Sequence, residues 1–420
     1  MSFADAYLEK VSLDPSINNL IPDKNLSIVV AIPACNEPDI LLTLSSLFHC
    51  KRPPGAVEIV IIINHAISAP ITVQTQNHLT EKQIVDYART HDEKGFRILV
   101  SRVPGLPDRD AGAGLARKLA MDHALGRFNH VNRPGGIILS LDADTTCDEN
   151  YLLEVAHQFR DRPDTKGCSI RFEHPLEGSF FPESVYNGII QYELHLRYYI
   201  QALRFAGHPH AYHTVGSAFG VRADVYEAQG GMNKRKAGED FYFLQKIIPL
   251  GGFYEINTTR VMPSPRPSDR VGFGTGPVIS KFQRGETTEL LTYHPQVFFE
   301  LKEFLSTVRS LYTAEGQSLQ LVLDGYPTAL RENLRPEFIS RMDEIRGNSS
   351  RESTFIKRFY GWFNMFRTLK YINYAHQHHF SRMPVREAVR EFLSATDTGF
   401  QRAGNAKELL LYLREIQKSQ

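Results

Sequence analysis

Between about residues 26 and 145, short aliphatic runs alternate with amphipathic stretches. Leu26–Ala34 is apolar almost throughout and predicts a strand. Asn36-Glu37-Pro38-Asp39 then predicts a helix running to about Cys50, with Asn36 as its cap and Pro38 in its first turn. Val57–Ile63 is a second near-continuous apolar run. A helix over about Leu79–His91, a strand at Phe96–Val100, a helix over about Ala113–Phe128 and a strand at Gly136–Leu141 follow. Apolar strands separated by helices predict an α/β fold whose mostly parallel sheet is flanked by helices. Such sheets bind ligands at the carboxyl ends of their strands.

After Asp144 the pattern changes. Val185, Ile189, Tyr192, Leu196, Tyr199 and Leu203 step by three and four, which predicts a helix over about Glu183–Phe205. Pro263–Pro277 is rich in Pro, Ser, Gly and Arg and reads as a loop. Beyond about residue 288 the chain reads as mostly helical. The expected organisation is therefore an extension over 1–25, an α/β domain over 26–287 and a helical domain over 288–420. Within the last, Phe355, Phe359, Trp362, Phe363, Phe366 and Leu369 form an aromatic stripe flanked by Lys357, Arg358, Arg367 and Lys370. It reads as core with a basic exterior, or as a surface for peripheral membrane contact with a lipid-linked acceptor.

Composition narrows the class. The 420 residues are 42% hydrophobic and 23% charged, as in a folded enzyme. Lys+Arg 48 against Asp+Glu 47 leaves a net charge of +1, so no basic field for nucleic acid is expected. Four cysteines without a Cys-x-x-Cys pair argue against a disulfide scaffold and a zinc ribbon. The amino terminus lacks a signal-peptide pattern, and the aliphatic runs fall short of the roughly 20 residues that span a membrane. A cytoplasmic protein without a transmembrane segment is expected.

Four segments could carry chemistry. Asp142-Ala143-Asp144 follows an aliphatic strand, and carboxylates at i and i+2 project to one side, where they can hold Mg²⁺ or Mn²⁺. Gly216-Ser217-Ala218-Phe219 allows close backbone approach to a ligand, and Glu239-Asp240 opens a helix. Those two acids suit the helix dipole, or act as a general base with an orienting neighbour. Pro33-Ala34-Cys35-Asn36-Glu37 ends the first strand, and Asn64-His65 ends the second. Polar side chains there can bond a base or ribose, or simply cap and solvate. Arg266 and Arg270 lie in a Pro-stiffened loop followed by Gly272-Phe273-Gly274, suited to holding a diphosphate under a mobile lid.

In their order and spacing these segments resemble family 2 glycosyltransferases of the GT-A fold over about residues 26–260. Ile32–Glu37 resembles the family's first nucleotide-sugar motif, and Gly112-x-Gly114-x-Ala116-Arg117-Lys118 its Gly-x-x-x-Ala-Arg-Asn helix start. Asp142-x-Asp144 is similar to the DXD metal motif, Gly216–Gly231 to the donor/acceptor segment, and Glu239-Asp240 to the catalytic acidic pair. The resemblance implies a hexosyl-type transferase moving one sugar from a nucleotide-sugar donor to a sugar, lipid-linked or small-molecule acceptor. It implies Asp144 as the direct metal ligand, with Asp142 near the ribose or a metal-bound water, and Asp240 as base of an inverting displacement beside Glu239; a retaining outcome stays open, since retaining enzymes share the fold and the metal motif. Pro33, Asn36, Glu37, Asn64, Arg117, Lys118, Asp142, Arg266 and Arg270 would bind donor; Gly216, Ser217 and Arg222 would line the sugar and acceptor pocket.

The chain departs from the pattern at Asn64-His65, where many members carry Asp, and at Lys118, where Asn is usual. The Gln-x-x-Arg-Trp motif of processive synthases is absent. No histidine follows Phe253–Ile256 as a further metal ligand; Asp269 or Ser264 could stand in. Two other readings use the same residues. One is a GT-A-fold binding module without turnover. The other is an Asp-x-Asp-x-Thr phosphatase with Asp142 as nucleophile, disfavoured because several strands precede the motif.

Overall fold

The computed structural model describes residues 2–91, 93–235, 238–268, 274–400 and 404–419. The chain divides into two compact units: Met1–Tyr186 with Thr214–Ser280 and Lys418–Gln420, and Asn187–His213 with Lys281–Gln417. Segment 187–213 thus groups with the carboxyl-terminal helices, although it lies between strands of the first unit in chain order.

The first unit is built on eight strands: β1 Leu26–Ala34, β2 Ala56–Ala66, β3 Phe96–Leu106, β4 Ile137–Ser140, β5 Thr145–Cys147, β6 Gly167–Phe172, β7 Phe219–Arg222 and β8 Phe253–Pro263. They form one sheet in the order β3-β2-β1-β4-β7-β6-β8-β5. The pairs β1–β2, β1–β4, β2–β3 and β6–β8 are parallel, while β7 runs antiparallel to β4 and β6, and β5 antiparallel to β8. This is an α/β fold with a mostly parallel sheet. The helix Ala113–His130 packs on β1 and β2, Ile71–Thr90 on β3, and Tyr151–Asp161 on β8.

Every β1 residue from Ile28 to Ala34 is buried, as a central strand requires. Glu58 interrupts the apolar run of β2 and is buried, but Arg127 grips both of its oxygens at 2.6 and 2.7 Å. Arg127 also donates to the Ile17 carbonyl at 3.0 Å, and Tyr7 donates to Asp122 at 2.8 Å. Residues 2–25 therefore cover the outer face of the 113–130 helix, which is why that helix is buried around much of its circumference.

Three local expectations are corrected. The first helix is Ile40–Phe48, so Pro38 and Asn36 precede it; Asp39 is its cap residue, and Asn36 adopts a left-handed φ of 55°. The second helix is Ile71–Thr90, eight residues longer at its start than the sequence reading, because its first turns are polar and lack an apolar stripe. The loop predicted through Pro277 gives way to a helix at Thr275–Gln283.

The second unit holds most of Glu183–Phe205, the further helices from Gln296 onward, and a small sheet of Leu291–Thr292 with Met383–Pro384. Phe355, Phe359 and Phe363 are fully buried, the last two against Phe304, which is the core reading for these members of the aromatic stripe, while Trp362, Phe366 and Leu369 are half-buried. Buried Glu193 accepts from Arg197 at 2.7 Å and from Arg414 at 2.8 and 2.7 Å, fastening the Ala406–Lys418 helix. Among the described residues no helix is long and apolar enough to cross a membrane.

Candidate active site

The carboxyl ends of β1, β2 and β4 carry the polar residues. After β1, Asn36 turns the chain with its positive φ, a conformation Asn tolerates better than most residues. Its backbone N–H donates to Asn77 Oδ1 at 2.7 Å. Asn77 Nδ2 in turn faces the Asn64 carbonyl oxygen at 3.3 Å and His65 Nδ1 at 3.0 Å. Asn64 Nδ2 donates to the Gly112 carbonyl at 3.0 Å, and Thr80 Oγ1 to the Glu37 carbonyl at 2.9 Å. The 71–90 helix thus ties the ends of β1 and β2 together through two buried polar side chains, Asn77 and Thr80.

At the end of β4, the buried Arg117 guanidinium is the hub. Its Nε donates to Glu239 Oε1 at 3.1 Å, and Nη1 donates to Ser140 Oγ at 2.8 Å and to the Gly216 carbonyl at 2.9 Å. Its Nη2 lies 2.9 Å from Asp142 Oδ1. Ser140 Oγ also donates to the Gly216 carbonyl, at 2.7 Å. A Cβ at Gly216 would sit 2.8 Å from Arg117 Nη2 and 3.1 Å from Asp240 Oδ2, so a larger residue here would displace the guanidinium. Gly238, with φ of 70°, caps the Glu239–Ile247 helix and places both acids in its first turn.

A second guanidinium clasps the other acids. Arg266 Nε donates to Asp144 Oδ2 at 2.7 Å, and its Nη2 pairs with Glu37 Oε2. The antiparallel β5–β8 pairing of Thr145 with Pro263 brings this loop to the aspartate, and Ser264 N–H donates to the Asp144 carbonyl at 3.2 Å. Asp142 and Asp144 both keep part of their surface accessible.

Burial perturbs the second of the two acids. Desolvation first, then the neighbouring Glu239 charge, push the Asp240 carboxyl up to about 7, against the pull of Arg117. A carboxyl in that range is suited to accepting a proton near neutral pH.

Glu37, Asp142, Asp144, Arg117, Gly216, Glu239, Asp240 and Arg266 are brought together in these two clasps. Pro33 is buried in β1 opposite Ile62, and Ser217 is buried beside Gly216. Lys118 is turned away: its Nζ donates to Asp122 at 2.7 Å and to Tyr7 at 3.0 Å. Arg222 is also elsewhere, because antiparallel β7 pairs Phe219 with Ser140 but Arg222 with Ile137, at the opposite end of the strand. It donates to the Pro163 carbonyl at 3.0 Å. Arg270 and Asp269 lie outside the described residues. Sequence reasoning missed Asn77, Thr80 and Ser140; the signal for the first two was a pair of polar residues three apart on a helix face that also carries Ile84.

A divalent cation is implied by the sequence. Among the described residues no group of three His, Cys, Asp or Glu side chains is arranged to hold a metal. Two accessible carboxylates that already attract guanidinium cations nevertheless fit a hard ion completed by phosphate oxygens and water.

No family model and no curated protein matches this chain. Several solved structures are similar to it. Residues 1–349 of S. aureus TarS in complex with UDP are 14% identical, with 85% of this chain and 93% of that chain covered at a TM-score of 0.41. Glucosyl-3-phosphoglycerate synthase from Mycobacterium tuberculosis, with phosphoglyceric acid, is 14% identical over 57% of this chain and 70% of that chain, at a TM-score of 0.32. The mannosyltransferase PcManGT from Pyrobaculum calidifontis, with GDP-Man and Mn²⁺, is 12% identical over 99% and 92%, also at 0.32. At such values the function of this chain has to be read from its own residues.

Proposed function

We propose that this chain is a GT-A-type glycosyltransferase that moves one sugar from a nucleoside-diphosphate sugar to an acceptor hydroxyl, with inversion. One observation carries the reading: Arg117 joins Asp142, at the end of β4, to Glu239, beside Asp240. Carboxylates suited to a cation and a carboxyl suited to a base thereby share one corner.

In this reading Asp144 and Asp142 would hold Mg²⁺ or Mn²⁺, which would supply positive charge against that developing on the departing diphosphate. Asp240 Oδ2 accepts the proton of the acceptor hydroxyl as its oxygen attacks the anomeric carbon. Glu239, held by Arg117, orients the base beside it. Arg266 offers forked donors to phosphate oxygens when it releases Glu37 and Asp144. The Gly216 carbonyl, held from two sides, fixes the floor of the sugar pocket.

The test is release of nucleoside diphosphate from a panel of UDP-, GDP- and dTDP-sugars with Mn²⁺. Wild type should turn over at least one donor in the presence of acceptor, and Asp240→Asn should bind that donor yet lose about 10²- to 10⁴-fold in rate. Undiminished turnover by Asp240→Asn would refute the base assignment.

A further inference from the structure

Cys50 and Cys147 are 97 positions apart in the chain, yet their sulfurs lie 3.6 Å from each other. Both thiols are free and buried, and neither takes part in the proposed reaction. The contact is built from both sides. The Ile40–Phe48 helix runs along residues 143–149, and Thr43 Oγ1 donates to the Ala143 carbonyl at 2.9 Å. The Cys147 N–H donates to Ser46 Oγ at 3.3 Å, and just past the helix the Lys51 N–H donates to the Glu149 carbonyl at 2.7 Å. Folding therefore supplies in advance the proximity that a cross-link over so long a loop would have to impose.

The two thiols are not equivalent. The hydrogen bond from Cys147, together with the Arg52 guanidinium, holds the Cys50 thiol below the ordinary cysteine value. The same contact and then burial push Cys147 well up. Cys50 is thus the nucleophile of the pair and Cys147 the resolving thiol beside it.

We propose that Cys50 and Cys147 form a peroxide-sensitive modification site, closing reversibly to a disulfide that fastens β5 to the Ile40–Phe48 helix. The Cys50 thiolate attacks one peroxide oxygen, the O–O bond breaks, and hydroxide leaves to take up the thiol proton as water. Cys50 is then a sulfenic acid. Cys147 attacks its sulfur, the S–O bond breaks, and the oxygen departs as a second water with the Cys147 proton. Each peroxide is reduced by two electrons, which the two sulfurs supply. β5 follows Asp144 directly, and Glu37 lies shortly before the helix; Arg266 already clasps these two acids. The disulfide closes the far end of the two segments whose near ends carry that clasp, and so holds the Asp144 edge in place.

The experiment treats the full chain, first reduced with dithiothreitol and freed of it, with hydrogen peroxide at neutral pH. Thiol titration in denaturant, peptide mapping by mass and amide hydrogen exchange of Asp142–Cys147 are the readouts. Of the four thiols, the pair Cys50 and Cys147 should be lost, joined in one peptide and restored by dithiothreitol. Exchange in Asp142–Cys147 should slow, and the thermal midpoint should rise by about 2–5 °C. Cys50→Ser should show none of these changes, and Cys147→Ala provides the same control if Cys50→Ser folds poorly. A Cys35→Ser background should behave as wild type in the mapping and the exchange. Four thiols surviving excess peroxide would overturn the inference. So would sulfinic acid at Cys50 without a cross-link, a cross-link to Cys35, Cys168 or a second chain, or exchange and midpoint unchanged once the disulfide has formed.

Discussion

Arg117 Nη2 lies 2.9 Å from Asp142 Oδ1, while Nε of the same guanidinium donates to Glu239 at 3.1 Å. The two motifs that this contact joins are about a hundred residues apart in the chain. The guanidinium is buried, and Glu239 is buried with it, so each depends on the other for its desolvated charge.

Replacing Arg117 by Gln should cost about 3–5 kcal/mol of stability, the range for stripping one partner from a buried pair. Chemical denaturation of Arg117→Gln, Glu239→Gln and the double variant measures the coupling. The double variant should be more stable than the sum of the single losses, and strict additivity would count against the pair.

The pH dependence of transfer should follow Asp240. A base must be ionised to act, so the rate should rise with pH through about 7 and level off above it. In the Asp240→Asn background that limb should vanish. The linked stability term has the opposite sense: because the folded value is raised above the ordinary carboxylate range, this group's contribution is fully present below about pH 4 and fades as pH climbs through about 7. Rate profiles and denaturation curves across pH 4–9 check both.

Arg266→Gln should weaken nucleoside diphosphate binding by about tenfold or more while leaving the nucleoside monophosphate less affected, since forked donors to phosphate are lost. The diphosphate-to-monophosphate affinity ratio is the readout. A ratio equal to that of wild type would mean that Arg266 serves only to neutralise Glu37 and Asp144.

Local patterns were legible and through-space pairings were not. Leu26–Ala34 and Glu183–Phe205 could be read to the residue because burial imposes continuous or three-and-four periodicity. Asp142-x-Asp144 and Glu239-Asp240 could be picked out because their chemistry lies in adjacent positions. Lys118 beside Arg117 shows the limit: one step along a helix turns a side chain by about 100°, which sends Lys118 to Tyr7 and Asp122. Arg222 shows another, because the direction of β7 decides which end of the sheet it reaches and its four residues do not disclose that direction. Asn77 was hidden in a helix start with no apolar stripe.

In the proposed reaction the Asp142–Asp144 edge binds a donor diphosphate together with a divalent cation. Calorimetric titration of UDP and GDP into the full chain, with and without Mn²⁺, tests it most directly, with Asp144→Ala compared against Arg222→Ala at the far end of β7. The expected result is Mn²⁺-dependent binding that Asp144→Ala abolishes and Arg222→Ala leaves intact. Equal affinity with and without Mn²⁺, or full binding by Asp144→Ala, would contradict it.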